Sequence, residues 1–301
     1  MEKYIGRIDF RDQIARNKRK SFFLLASIFI VLVAIGYAVS IAFDPGYFFI
    51  IMIMSILFSI LYIWVGYYNS DKLAIKSVGA KEIKRSDYPV YWGIVEGLTI
   101  ASGLPMPKLY IMNASQINAF ASGRNPKKAV VCVTKGALEK LNRRELEGVL
   151  AHELGHVGNY DIRYMTLVAV LVGMISIISE IFLRSLWFKG GDSDTSKIQI
   201  IALIIGVALA ILAPIVVMLV QLSISRKREY SADATAVKFT RYPAGLIGAL
   251  KKIQADSNSS SAQPEKKVSK AIAPLFFANP LKNAFSTHPP IEERIKTLER
   301  M

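Results

Sequence analysis

The sequence contains few of the residues that cross-link proteins or bind metals, with one cysteine and three histidines in 301 residues. Because Cys132 stands alone, an intramolecular disulfide is excluded, which is typical of a reducing compartment. Acidic residues are also scarce, since 23 Asp and Glu face 38 Lys and Arg and give a net charge of +15. We find no nucleic-acid-reading module, so nucleic acid is not expected as a partner and the basic excess needs another explanation.

Long apolar runs fill much of the remaining sequence. Hydrophobic residues make up 52% of the chain, which is high for a soluble protein. Residues 21–43 and 47–68 are uncharged and long enough to cross a bilayer, and the turn at 44–46 between them predicts a helical hairpin. Residues 198–222 form a third uncharged run, and a fourth apolar segment covers 165–187. The sequence therefore predicts four transmembrane helices.

Two of these assignments have alternatives. The first run follows basic residues, as in a cleavable signal peptide, but it is longer than a signal core and a second span follows at once. We therefore interpret it as a membrane anchor. Glu180 and Arg184 interrupt the fourth segment. It either crosses, with these two charges facing other helices or lying at the outer interface beside Trp187 and Phe188, or dips into the membrane without crossing.

The distribution of charge predicts the orientation. With four spans, residues 1–20, 69–163 and 223–301 share one side and hold nearly all of the 38 basic residues. Basic clusters lie directly at span ends, where the positive-inside rule applies most strongly. This side is therefore expected to be the cytoplasm, and the net positive charge is explained by topology and contact with anionic lipid.

Two of the three histidines stand four residues apart, in the string His152-Glu153-Leu154-Gly155-His156. Apolar residues recur at helical spacing around this string, so it is predicted to be an amphipathic helix with both imidazoles on one face. In such a helix the two histidines can bind one metal ion while the glutamate between them acts as general base. The pattern indicates a zinc hydrolase.

A catalytic zinc usually has three protein ligands and one open position. The third ligand must be His288 or a carboxylate. We choose Glu229, because it begins a second predicted helix and has Asp233 four residues later on the same face, where that carboxylate can accept a hydrogen bond from a zinc-bound histidine. The alternative is that Glu229 is a solvated partner of Arg226 or Arg228.

Three segments together resemble the HtpX group of M48-type membrane zinc peptidases. They are residues 150–161 around the first motif, residues 228–233 (Arg-Glu-Tyr-Ser-Ala-Asp), and Thr287-His-Pro-Pro290 followed by Glu293-Arg294. The resemblance covers most of the chain. It implies an α+β, zincin-like (gluzincin) domain with one Zn²⁺ per chain, in which the ligands are His152, His156 and Glu229 and the general base is Glu153.

The resemblance also assigns supporting roles. His288 matches a residue that faces the cleft in related peptidases, so it is expected to stabilise the oxyanion; its alternative is a surface turn residue. Arg294 is expected to support Asp233 or the oxyanion. Asp161, at the end of the first motif, is expected to support the zinc ligands.

A small sheet is predicted beside the metal helix. After a predicted helix at 90–101, residues 108–112 and 129–134 are rich in strand-forming residues. In the resembling family the stretch that matches Asn118, Ala119, Phe120 and Ala121 is an edge strand along the cleft, where an extended substrate pairs through its main chain. Core packing is an equal alternative for the phenylalanine. Residues 271–286, which are more apolar, are expected to cover the cleft.

These observations predict an α-rich membrane protein with four spans and a cytoplasmic α+β protease domain. Its expected parts are a basic N-terminus (1–20), a transmembrane hairpin (21–68), a protease domain with the zinc helix (69–163), a second transmembrane pair (164–222) and the rest of the protease domain (223–301). The expected function is a zinc endopeptidase of the cell membrane that cleaves misfolded or unassembled membrane proteins on the cytoplasmic side, in contact with polypeptide substrates and the lipid bilayer. The alternative is a CAAX-type prenyl-protein protease, which has these motifs in a longer chain with more spans.

Overall fold

A computed structural model describes residues 10–42, 45–168, 206, 226–259, 276–277 and 289–301. Four sequence predictions fall wholly or largely outside these described residues: the spans at 165–187 and 198–222, the cover over the cleft at 271–286, of which only 276–277 are described, and the position of His288. The predicted division into parts therefore stays a prediction across 169–225.

The predicted hairpin is present as two helices, α1 (Phe10–Ala42) and α2 (Phe48–Tyr68), with a 3-10 turn at Pro45–Tyr47 between them. In the described residues, Asn17–Tyr37 and Phe48–Tyr68 are long and apolar enough to cross a membrane. α1 begins earlier than the predicted span and includes the basic cluster, because no glycine or proline interrupts the helix between Phe10 and the apolar run. The end of the predicted N-terminal segment is thus the first part of the membrane helix.

The sheet has four strands, β1 (Lys81–Glu82), β2 (Lys108–Met112), β3 (Ala119–Ser122) and β4 (Val130–Thr134), in the order β1-β2-β4-β3. β2 and β4 are parallel, whereas the outer strands run antiparallel to their neighbours. The strands expected at 108–112 and 129–134 are confirmed. β3 lies at one edge of the sheet, as the resemblance implied.

Seven further helices are present among the described residues. They are α3 (Ser70–Val78), α4 (Pro89–Ser102), α5 (Lys135–Lys140), α6 (Arg143–Gly158), α7 (Arg226–Thr240), α8 (Pro243–Ser259) and α9 (Ile291–Leu298), with a further helical stretch at 161–168. α6 contains the His-Glu-x-x-His string and packs against β3, α4, α7 and α8. It begins with a capping box, in which Asn142 accepts from the Glu145 amide and the Glu145 carboxylate accepts from the Asn142 amide.

Small residues allow the helices to approach α6 closely. A Cβ atom on Gly148 would lie 2.6 Å from the Leu246 amide nitrogen of α8, which real side chains do not tolerate. A Cβ atom on Gly155 would lie 3.3 Å from the Ala232 carbonyl oxygen of α7. The close approach of α7 brings its first turn next to the metal helix.

The end of α6 is tied to the transmembrane hairpin. Residues 161–168 follow α6 almost directly, and one buried apolar cluster joins them to the first span; it consists of Leu24, Ile28, Leu32, Tyr164, Leu167 and Val168. The guanidinium groups of Arg163 and Arg124 lie over the rings of Tyr67 and Tyr68 at the end of α2. The protease domain is therefore packed against the Asn17 and Tyr68 ends of the two spans.

Candidate metal centre

His152, His156 and Glu229 meet in the protein interior, with 0%, 5% and 2% of their surface exposed. The two Nε2 atoms are 3.1 Å apart. The carboxylate oxygens of Glu229 lie 3.5 Å from His152 Nε2 and 3.6 Å from His156 Nε2. Among the described residues these three form the candidate metal cluster, since one ligand atom of each lies within 4.8 Å of the others.

This arrangement fits a tetrahedral metal ion. Ligand atoms about 2.0–2.1 Å from a tetrahedral zinc stand about 3.3–3.4 Å from one another. The three observed separations fall close to that value, and two imidazoles with one carboxylate are a donor set that zinc accepts. The three residues could therefore hold a metal, and the sequence prediction that Glu229 joins the histidines agrees with the geometry.

A buried carboxylate orients each imidazole from behind. Asp233 Oδ1 lies 2.9 Å from His152 Nδ1. Arg294 holds this carboxylate in turn, because its Nε donates to Oδ2 at 2.9 Å and its terminal nitrogen donates to Oδ1 at 2.6 Å. Of the two roles expected for Arg294, the geometry shows the contact with Asp233. Burial favours a higher pKa for Asp233, but the charge of Arg294 and the hydrogen bond with His152 outweigh it and lower the pKa.

Asp161 orients the imidazole of His156, as Asp233 orients that of His152. Its Oδ2 lies 3.1 Å from His156 Nδ1. Burial acts to lower the pKa of His156, but the hydrogen bond with Asp161 and the negative charges of Glu229, Asp161 and Glu153 prevail and raise it to about 9. The surroundings of His156 therefore favour positive charge, which is the electrostatic environment that a bound cation needs.

Glu153 lies beside the cluster and is 2% exposed. Its carboxylate accepts a hydrogen bond from the Ala121 amide of β3. Burial raises the pKa of Glu153, opposed by the attraction of His152 and His156. The side chain is thus a buried carboxyl group with increased affinity for a proton, placed between the metal ligands and the edge strand.

The edge strand β3 is buried along its whole length. Phe120 packs in a core cluster and its ring centroid lies 5.1 Å from that of Phe276. The outer edge of β3 pairs with residues 276–277. The Phe277 amide donates to the Ala119 carbonyl oxygen at 2.8 Å, and Phe276 forms an antiparallel bridge with Phe120. Asn118, just before β3, is 5% exposed and accepts from the Ala119 amide through its own side chain.

Phe277 also reaches the metal cluster. Its ring meets the His152 ring edge to face at 4.8 Å, and the Arg294 guanidinium lies 4.8 Å from the centroid of the phenylalanine ring. The sequence identified residues 271–286 only as an apolar stretch that covers the cleft. The specific contact with His152 follows from tertiary packing and has no local signal.

Sequence reasoning missed one residue of the centre. Asn17 of α1 donates from its side-chain amide to Asp161 Oδ1 at 2.7 Å and to the Asn159 carbonyl oxygen at 3.1 Å. Asn17 stands in a basic cluster of the first membrane helix, far from the motif in the chain. The one available signal is that it is a neutral amide among charged residues.

The chain is similar to several known proteins. The model of peptidase family M48 matches residues 93–301. A protease HtpX homolog of Dictyoglomus thermophilum is 43% identical over 298 residues, which cover 97% of this chain and 95% of the relative. Another from Thermoanaerobacter pseudethanolicus is 44% identical over 294 residues, which cover 95% of this chain and 96% of the relative.

The crystal structure of S. mikatae Ste24p has a similar fold. The TM-score is 0.51 over 96% of this chain and 67% of that chain, at 21% sequence identity. The family model matches more than half of the chain, and relatives above 40% identity match nearly its full length. These two findings establish the family. The chain belongs to peptidase family M48 and is a membrane metalloprotease that acts on polypeptides.

Proposed function

We propose that this protein is a zinc endopeptidase that cuts unfolded or unassembled membrane proteins at the cytoplasmic surface of the cell membrane, as a quality-control enzyme. The observation that carries the proposal is the position of Glu153. Its buried carboxyl lies between a His-His-Glu metal cluster and the edge strand β3, and the helix that holds it continues towards residues packed on the first membrane span.

The chain's own residues supply the acid–base chemistry. His152, His156 and Glu229 would hold a zinc ion, which would supply Lewis-acid chemistry for the scissile carbonyl and the attacking water. Glu153 accepts the proton from the attacking water and then donates it to the departing amine nitrogen. A carboxyl group with a raised pKa suits both halves of this transfer, since it holds the proton between the two steps. His288 is the proposed donor to the oxyanion.

The affinity for zinc should increase with pH. Below a pKa of about 9 His156 carries a proton in the metal-free protein, and this proton must leave before the imidazole can bind a metal. Release of one proton makes affinity rise about tenfold per pH unit, from about pH 6 to about pH 8. Competition with a chelator of known pH dependence would measure this. In Asp161→Asn, which removes the main contact that raises the pKa, the rise should end at lower pH; a flat profile in the wild-type protein would contradict the assignment.

The proposed location follows from the residues around the membrane end of the domain. The first span begins at Asn17, and the basic residues Lys18 and Lys20 lie over the rings of Tyr160 and Tyr164 near the end of α6. Basic and aromatic residues together are typical of the membrane–water interface, and basic residues favour the cytoplasmic side. This supports an active site close to the cytoplasmic bilayer surface.

The proposed substrate is an extended polypeptide that pairs with the outer edge of β3. Ala119 directs its carbonyl oxygen, and Ala121 its amide, away from β4 and towards the cleft. Because Phe276 and Phe277 occupy part of this edge, a substrate strand must replace their main-chain contacts to bind there. Pairing of this kind reads the backbone, and a folded protein has its backbone groups already bonded. Selection should therefore depend on local unfolding more than on sequence.

The experiment that tests the function uses one polytopic membrane protein in folded and destabilised forms, reconstituted with the zinc-loaded enzyme. When the substrate unfolds and refolds faster than it is cut, the cleavage rate is proportional to the unfolded fraction of the substrate. Each ~1.4 kcal/mol of destabilisation should then increase the cleavage rate about tenfold. Mass spectrometry should map the cuts to cytoplasmic loops. The Glu153→Gln variant controls for contaminating proteases. Equal rates on both forms, or cuts confined to the outward-facing loops, would contradict the proposal.

A further inference from the structure

Asn17 is the first residue of the first candidate span, and it is buried where its neighbours are exposed. It is 4% exposed, whereas Lys18 and Arg19 in the same helical turn face solvent. Its amide group donates to Asp161 Oδ1 at 2.7 Å and to the Asn159 carbonyl oxygen at 3.1 Å. The second bond satisfies a carbonyl at the end of the metal helix α6, a group that has no partner within its own helix.

The bond to Asp161 connects the membrane helix to a metal ligand. One oxygen of this carboxylate accepts from Asn17, and the other lies 3.1 Å from His156 Nδ1. Asp161 is completely buried, so loss of the amide would take a hydrogen-bond donor away from a carboxylate oxygen in the protein interior. The amide therefore fixes the carboxylate rotamer that directs His156 Nε2 towards the cluster.

Each of the two histidines is oriented by a carboxylate, and a further residue holds each carboxylate. His152 is oriented by Asp233, which Arg294 anchors with two hydrogen bonds from within the protease domain. Asp161 orients His156, and Asp161 in turn accepts a hydrogen bond from Asn17 in the hairpin of α1 and α2. The anchor of the second histidine thus depends on how the hairpin docks.

We propose that Asn17 is a positioning residue for the metal centre, through which the docking of the first membrane helix sets the orientation of His156 and the affinity for the metal. This inference rests on the metal role proposed above for His156. The apolar contacts of Leu24 and Ile28 with Tyr164 and Leu167 hold α1 in the position that the hydrogen bond needs. A shift of the helix that breaks the bond would loosen one ligand and leave the other two in place.

The test is the zinc affinity of the full-length protein in membranes or detergent, measured by chelator competition. Asn17→Leu keeps the size of the side chain and removes the donor. Loss of the carboxylate that hydrogen-bonds a ligating histidine typically weakens metal binding about 10–100-fold. Asn17 contacts that carboxylate and not the histidine, so we expect a loss at the lower end of this range, about tenfold. Asn17→Gln, which keeps a donor amide, should recover part of the affinity. Asn69→Leu is the matched control, since this amide at the end of the second span donates to Val65 of its own helix and should leave affinity unchanged.

Two further readouts separate positioning from general stability. Cobalt(II) bound in place of zinc reports ligand geometry through its visible spectrum, which Asn17→Leu should change and Asn69→Leu should not. Because Asn17 acts through Asp161, the double variant Asn17→Leu/Asp161→Asn should bind zinc no more weakly than Asp161→Asn alone. If Asn17→Leu does not accumulate in membranes, the same measurements on Asn17→Ala decide the question.

The outcomes also distinguish this inference from the proposed function. Wild-type affinity and spectrum in Asn17→Leu, or additive losses in the double variant, would overturn the role of Asn17 and leave the metal centre intact. If His156→Ala itself bound zinc as tightly as the wild type, the proposed metal centre would be wrong.

Discussion

Replacing Glu153 by Gln should remove peptide cleavage and leave the metal bound. The substitution keeps the shape of the side chain and takes away the group that accepts the proton from the attacking water. General acid–base catalysis contributes about 10²–10⁴-fold to the rate of the chemical step, so kcat should fall by about that factor or more. The fold should tolerate the change, because a neutral amide replaces a carboxyl group that is buried and already disfavoured as an anion. Cleavage of an unfolded substrate and zinc content should be measured on the same preparation.

Glu147 provides the matched control for this experiment. It lies on α6, six residues before Glu153, and pairs with Arg144 at 3.0 Å on the surface. Glu147→Gln should retain wild-type turnover, since an exposed pair of this kind contributes little. Turnover near the wild-type rate in Glu153→Gln would show that another group is the base.

The parts of the centre that the sequence predicted are those fixed by local geometry. His152 and His156 share a face because any helix places residues four apart on one side, whatever surrounds it. The hairpin followed from the length of the uncharged runs, and the strands at β2 and β4 from short apolar stretches that contain β-branched or aromatic residues. Each of these needs no knowledge of the rest of the molecule.

The contacts that the sequence did not predict join elements distant in the chain. Asn17 and Asp161 are separated by 144 positions, and no periodicity relates the membrane helix to the end of α6. Phe277 meets His152 for the same reason, through packing of a segment whose composition indicated only that it was apolar. Helix α1 extends through the basic cluster because charge alone does not end a helix. Tertiary packing decided the contacts of Asn17 and Phe277, whereas the extension of α1 is a local property of its sequence.

The close approach of α7 to α6 could be predicted from the sequence only in part. The sequence suggested Glu229 as a ligand, and the structure shows why it can reach the histidines. Gly155 and Ala232 stand at the crossing, where a larger side chain on α6 would press on the α7 backbone. Small residues on two predicted helices are visible in the sequence, but their pairing is not. The choice of Glu229 over His288 as third ligand therefore rested on the sequence, and the packing of α7 on α6 supports it.

Replacing Glu229 by Ala should sharply lower the affinity for zinc. The substitution removes the carboxylate that lies 3.5 Å and 3.6 Å from the two Nε2 atoms, and of the three proposed ligands only the two histidines remain. Loss of a supporting contact behind a ligand costs about 10–100-fold in metal affinity, so loss of the ligand itself should exceed about 100-fold.

Metal analysis after dialysis against a zinc buffer measures this loss, with Glu293→Ala as the control. Glu293 is exposed on α9 and accepts a hydrogen bond from the Tyr230 hydroxyl next to Glu229, so its loss alters the neighbourhood without touching the cluster. His288→Ala should keep its zinc, because an oxyanion donor is not a ligand, but should lose turnover. Full zinc occupancy in Glu229→Ala together with loss of zinc in His288→Ala would reassign the third ligand to the histidine. The carboxylate of Glu229 would then be a buried acceptor that orients the two imidazoles.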